Sequence, residues 1–118
     1  MKMKETTLVS QPMVKKTRPN VLQLNGEIDL HVSPEVGQAL RTIIEKKPKI
    51  VVVDLAKVTF IDSSGLAVLI EGMQKAQEYG GNLALANLQE SVRHIFEIAR
   101  LDQVFLISPD VESALAAK

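Results

Sequence analysis

Cysteine is absent from this chain. That excludes disulfides, thiolate nucleophiles and cysteine-ligated zinc, and it fits a reducing compartment, with the cytoplasm as the expected location. Net charge is absent as well: 14 basic and 14 acidic side chains cancel. No global field therefore draws the protein onto nucleic acid or an anionic membrane, and a protein partner is expected instead. No apolar run is long enough to span a bilayer, and the opening MKMKETTLVS lacks the continuous apolar core of a signal peptide, so a soluble, unexported chain is expected. Glycine-rich loops ending in Gly-Lys-Ser or Gly-Lys-Thr are missing, which removes Walker-type phosphate binding. The basic cluster Lys15, Lys16 and Arg18 has no interleaved aromatics and reads as a solvated turn.

What remains is 118 residues of which 46% are apolar, enough for one core and too little for two. A single domain over residues 1–118 is expected, with its body over about 21–118. Residues 6–13 read as an edge strand, and Lys15-Lys16-Thr17-Arg18-Pro19-Asn20 as a polar turn before a second strand over 21–29, the two forming a hairpin. Ser33-Pro34-Glu35 has the pattern of a helix start, with a capping hydroxyl, an early proline and an acid in the first turn. Val36, Leu40, Ile43 and Ile44 supply that helix's inward face, and Lys46-Lys47-Pro48 ends it.

Ile50-Val51-Val52-Val53 is an unbroken β-branched run, the pattern of a central parallel strand covered on both faces. Asp54 is expected at its carboxyl end, with a loop through Phe60. A helix then begins at Asp62-Ser63, carries Leu66, Leu69, Ile70, Met73 and Ala76 on one stripe, and ends at Tyr79-Gly80-Gly81. A short strand over 82–86, a helix over 89–100, a strand over 104–107 and a helix over 109–117 complete a β-β-α-β-α-β-α-β-α order. Strands alternating with helices imply an α/β fold with right-handed crossovers. The sheet is mixed but mostly parallel, with the N-terminal hairpin at its edge and about four helices.

Several residues invite a chemical reading. A nucleophilic Ser63 or Ser64 needs a base and a group orienting it. The surrounding Asp62-Ser63-Ser64-Gly65 is not the Gly-x-Ser-x-Gly of a nucleophile elbow. His31 and His94, the only histidines, lack the set of acid and metal-ligand neighbours that a catalytic or metal site needs, and read as a loop residue and a partly exposed helix residue. Asp54 lacks the additional acids and the lysine of a phospho-accepting aspartate site, and reads as a residue bonding local backbone. Ser63 stands at a helix mouth, where free N–H groups and the macrodipole favour negative charge. The hydroxyl there either caps the helix or accepts phosphate.

Three segments, Gly26-Glu27-Ile28-Asp29, Val51-Val52-Val53-Asp54-Leu55 and Phe60-Ile61-Asp62-Ser63-Ser64-Gly65-Leu66, follow one another in an order and spacing that resembles the STAS domain. More narrowly the chain resembles the bacterial anti-sigma factor antagonists. The match runs from about Val21 onward and includes Gly80-Gly81. The resemblance implies the STAS fold and partner switching. Unphosphorylated antagonist captures an anti-sigma factor with serine-kinase activity, which frees a sigma factor; the phosphorylated form lets go, and a serine phosphatase resets it. It further implies that the protein is not an enzyme and needs no cofactor, metal or small-molecule substrate. Ser63 matches the family's phosphorylated serine, and Asp29, Asp62, Ser64 and Gly65 fall on the surface around it. The resemblance also admits a STAS subunit docked constitutively on a membrane transporter ATPase or a scaffold, in which Ser63 only caps its helix.

Overall fold

Val51, Val52 and Val53 are fully buried at the middle of a five-stranded sheet in the computed structural model, which describes residues 13–117. The sheet is built from β1 (Val14–Arg18), β2 (Val21–Ile28), β3 (Ile50–Ile61), β4 (Asn82–Ala86) and β5 (Leu106–Ser108), in spatial order β1-β2-β3-β4-β5. β1 pairs antiparallel with β2, and every other pairing is parallel. Helices α1 (Ser33–Ile44), α2 (Ser63–Glu78) and α3 (Glu90–Ile98) are the crossovers, and α4 (Val111–Leu115) closes the described chain. The mixed, mostly parallel sheet with an N-terminal hairpin and four helices is the expected architecture.

A parallel sheet that grows in one direction with right-handed crossovers must carry its crossover helices on one face. Leu22, Leu24, Val51, Val53, Leu83 and Leu85 accordingly share a core with Val36, Leu40, Leu69, Met73, Val92 and Phe96 from the three helices. The opposite face presents Val21, Val52, Ala84 and Ala86, and it is covered by Ala114, Val111 and Leu115 of short α4. Both faces of the central strands are therefore dry, which is why their sequence is continuously apolar.

The structure moves several boundaries. The segment Lys15 to Arg18 is strand, and only Pro19 and Asn20 form the turn. As an edge strand, β1 tolerates lysine and arginine because its outer side faces water. The expected strand over residues 6–13 lies almost wholly outside the described residues. The third helix and the last strand and helix are also shorter than expected, at Glu90–Ile98, Leu106–Ser108 and Val111–Leu115.

The largest difference concerns β3, which does not stop at Asp54 but continues to Ile61. Against β2 it carries two extra residues: Gln23 and Asn25 pair with Asp54 and Lys57, and Gly26 and Glu27 with Val58 and Phe60. Each extra residue is a bulge, which shifts the inward parity by one. The inward positions thus run Val51, Val53, Leu55, Val58 and Ile61. Asp54 holds the first bulge, its Oδ1 accepting from Ala56 N–H and Asn87 Nδ2, both at 3.0 Å. Gly26 adopts φ +77° opposite the second bulge, a conformation other residues take only with strain.

Candidate functional site

Ile28 and Ile61, the last residues of β2 and β3, are register partners. The two strands therefore release α1 and α2 side by side at the carboxyl edge of the sheet. Asp62 extends the ladder by one rung, its N–H donating to the Ile28 carbonyl at 3.1 Å. The chain then turns into α2, with Asp62 in extended backbone geometry as its N-cap.

Asp62, not Ser63, performs the capping. Its Oδ1 accepts the Gly65 N–H at 3.0 Å and the Ser64 hydroxyl at 2.6 Å. Ser63 is the first helical residue, is exposed, and has no hydrogen-bond partner for its side chain among the described residues. The alternative that Ser63 caps its own helix is thus corrected: the aspartate one residue earlier reaches the free N–H groups with better geometry and full charge.

The start of α1 also departs from expectation. Its N-cap is Val32, without a side-chain cap bond, and Ser33 is already inside the helix. Asp29 does the work from outside, its Oδ1 accepting the N–H groups of His31 at 3.0 Å and Val32 at 3.3 Å. Ser33, only 3% exposed, sends its hydroxyl to the Asp29 carbonyl at 2.8 Å and lies 2.9 Å from the Ser64 hydroxyl. Two hydroxyl protons serve three oxygen–oxygen contacts here. The shortest, to the Asp62 carboxylate, takes the Ser64 proton because a charged acceptor binds more strongly. Ser33 then shares its proton between the Asp29 carbonyl and Ser64.

Gly65 explains how the helix comes so close to the sheet. A Cβ at this position would stand 2.7 Å from Ile61 Cγ2 and 2.9 Å from the Ile28 carbonyl oxygen. Only glycine lets the first turn of α2 rest on the end of β2. Asp62, Ser64 and Gly65 therefore form one rigid unit, and Ser63 projects from it.

The electrostatics of this edge are lopsided in an otherwise neutral protein. Residues 26–40 and 58–70, which form the rim, contain Glu27, Asp29, Glu35 and Asp62 but no lysine or arginine. His31 lies on the same rim, its Nδ1 3.9 Å from Asp29 Oδ1. The Ser64 hydroxyl bond above all, then the Gly65 N–H, holds the Asp62 carboxyl below the usual aspartate value; the backbone N–H groups of Ser64 and Leu30 add to this and desolvation opposes it. Asp62 is consequently an anion throughout the neutral range.

The sequence-derived residues Asp29, Asp62, Ser63, Ser64 and Gly65 all meet at this edge. The role of Ser33 was not foreseen, and nothing local signals it, since its partner Ser64 lies 31 positions away. The exposed Leu30 was missed too, although an apolar residue between Asp29 and His31 in a polar loop was a visible cue. His94 stays on the surface of α3, 3.8 Å from Glu97. Among the described residues no three His, Asp or Glu side chains are grouped to hold a metal ion, and no helix is long and apolar enough to cross a membrane.

The STAS domain family model matches residues 11–114. The anti-sigma-B factor antagonist of Bacillus subtilis is 30% identical over 102 residues, covering 85% of this chain and 93% of the relative. The crystal structure of an anti-sigma factor antagonist from Mycobacterium paratuberculosis superposes with a TM-score of 0.74 at 27% identity, over 86% of this chain and 87% of that one. The Bacillus cell fate determinant SpoIIAA in its phosphorylated form shares the fold, with a TM-score of 0.63 at 20% identity over 85% of this chain and 93% of that one.

Proposed function

Because this chain belongs to the STAS domain family, we propose that it is an anti-sigma factor antagonist whose switch is Ser63. Unphosphorylated, it captures an anti-sigma factor with serine-kinase activity; phosphorylated on Ser63, it releases that partner, and a serine phosphatase restores it. It acts in the cytoplasm as a binding protein and not as an enzyme. Relatives named anti-sigma factor antagonists support the class of function. The observation that carries the site is the contrast between the two serines. The Ser63 hydroxyl is exposed and uncommitted, whereas the Ser64 hydroxyl is half-buried and held between Asp62 and Ser33. A kinase must strip and orient the acceptor hydroxyl, and only Ser63 offers one without breaking bonds within the fold.

Magnitudes favour release by a blocked contact over release by refolding. Phosphorylation adds about 1.5 to 2 negative charges. At the mouth of α2 the dipole favours that charge by only about 0.3 to 1 kcal/mol, and the neighbouring Asp62 anion works against it. Neither rim segment, 26–40 or 58–70, supplies a lysine or arginine to pair with the phosphate. The dianion instead points outward. Held against an apolar or acidic partner surface it costs several kcal/mol, and each 1.4 kcal/mol is about tenfold in affinity.

The test is incubation with ATP and the serine-kinase anti-sigma factor encoded nearest to this chain's gene. Phosphate incorporation is expected in the wild type and in Ser64→Ala and lost in Ser63→Ala. Incorporation that persists in Ser63→Ala removes the site assignment.

A further inference from the structure

Four large apolar side chains stand exposed among the described residues: Leu30 at 69%, Phe60 at 45%, Ile98 at 70% and Val104 at 50%. They fall at opposite edges of the sheet. Leu30 follows the end of β2, and Phe60 is the next-to-last residue of β3, so both lie at the edge that presents Ser63. Ile98 ends α3 and Val104 precedes β5. Because β5 runs parallel to β4, the chain between α3 and β5 must lie at the amino edge, away from Ser63.

We propose that Leu30, together with Phe60 three positions before Ser63, is the apolar anchor by which the unphosphorylated protein holds the kinase that modifies Ser63. This rests on the Ser63 reading above. Leu30 follows the end of β2, beside the Ile28 carbonyl that accepts the Asp62 N–H directly before Ser63. Its side chain has no evident work in the fold. Asp29 makes the turn into α1, and the inward face of that helix is supplied by Val36, Leu40, Ile43 and Ile44. A polar residue would serve position 30 equally well for folding, so leucine there faces water until something covers it.

The occupant follows from the chemistry at Ser63. An enzyme that transfers phosphate to its hydroxyl must seat its nucleotide site on this edge, and a stable protein interface covers about 800 Å² per partner. A patch of that size centred on Ser63 takes in the end of β2, whose Ile28 carbonyl accepts the Asp62 N–H, and so reaches Leu30. Leu30 and Phe60 are the large apolar side chains exposed at this edge among the described residues. Burial near the centre of an interface is where single side chains dominate affinity. The partner is therefore a kinase with an apolar pocket beside its nucleotide site. A phosphate on Ser63 forces charge into the ring of water-excluding contacts around that pocket.

Binding of the unphosphorylated protein to the same anti-sigma factor kinase, measured by titration calorimetry, tests the assignment. Leu30→Ser is expected to weaken binding by about tenfold or more and Phe60→Ser by severalfold. Leu30→Met is expected to stay close to the wild type. Ile98→Ser, which removes an equally exposed side chain from the far edge, should leave affinity unchanged, and the thermal midpoint of Leu30→Ser should match the wild type. Wild-type protein that is captured and phosphorylated on Ser63, together with Leu30→Ser of equal affinity, overturns the anchor and leaves the switch intact. Wild-type protein that is neither captured nor phosphorylated overturns both.

Discussion

Gly65→Ala puts the geometry of the candidate switch to its hardest test. In an exposed helix this substitution would stabilise, since alanine is favoured over glycine by about 0.8 to 1 kcal/mol. Here the new methyl would stand 2.7 Å from Ile61 Cγ2, 2.9 Å from the Ile28 carbonyl oxygen and 3.1 Å from Ile28 Cγ2. A carbonyl within the ladder at the β2–β3 end cannot swing aside, because it accepts the Asp62 N–H. The first turn of α2 must lift away instead. Overpacking of this kind costs about 1 to 3 kcal/mol, so the two effects leave a net loss between about 0 and 2 kcal/mol, toward the upper end because one of the groups met is a fixed backbone carbonyl. Gly72→Ala in the same helix is the control. Its methyl would meet Leu40 Cδ1 at 3.0 Å and Leu83 Cδ1 at 3.2 Å, the free ends of flexible side chains that can yield, so its net effect should be close to zero. Urea unfolding of both variants, followed by far-ultraviolet circular dichroism, reads the difference as a shift in midpoint at constant slope. Gly65→Ala should also be phosphorylated more slowly on Ser63. A Gly65→Ala protein as stable as the wild type, or a Gly72→Ala protein that loses more, would refute the close-approach argument.

Other predictions follow from the hydroxyl network. The Asp62 carboxyl should titrate below the usual aspartate value, and carbon-detected NMR of the side chain in Ser64→Ala should show it moving upward, because the bond that lowers it most is gone. The linkage sign is that of a depressed acid: its contribution is present above the unfolded pKa and is lost as pH falls through the folded pKa. Wild-type stability should thus have an acid-limb component below about pH 4 that shrinks in Ser64→Ala. Ser33→Ala should lose about 0.5 to 1.5 kcal/mol in chemical denaturation while leaving the Asp62 titration nearly unchanged, since Ser33 reaches Asp62 only through Ser64.

The sequence carried the architecture because the signals behind it are local and strong. A β-branched run of four residues, the proline-and-acid start of α1, the aliphatic stripe of α2 and the Gly80-Gly81 stop each act within one or two turns of chain. The end of β3 was illegible for a definite reason. With two bulges the inward residues Leu55, Val58 and Ile61 fall three apart, which is neither the period of a strand nor the apolar run of a buried one. Those bulges exist because β2 supplies fewer residues than β3 over the same length, a fact about pairing and not about either segment alone. The same logic governs the site. Asp62 beside Ser63 is visible in one motif, but which of the two caps α2 depends on backbone angles. The restraint on Ser64 depends on Ser33, which only the juxtaposition of two helix mouths brings within 2.9 Å.

That restraint changes what Asp62-Ser63-Ser64-Gly65 means physically. Each of its neighbours removes a degree of freedom from the helix start: Asp62 caps it, Ser64 is tied to Asp62 and to α1, and Gly65 lets it rest on the sheet. None of these contacts uses the Ser63 side chain. A charge placed there has no intramolecular bond to break, and neither residues 26–40 nor residues 58–70 offer it a lysine or arginine. The energy of modification therefore has little route into the core and is felt by whatever lies against this edge. A fold that resists rearrangement at its switch is suited to report the modification by surface charge alone. The unphosphorylated and phosphorylated forms should accordingly share backbone amide shifts beyond the two rim segments, and shifts spreading through α2 as far as Met73 would contradict the argument.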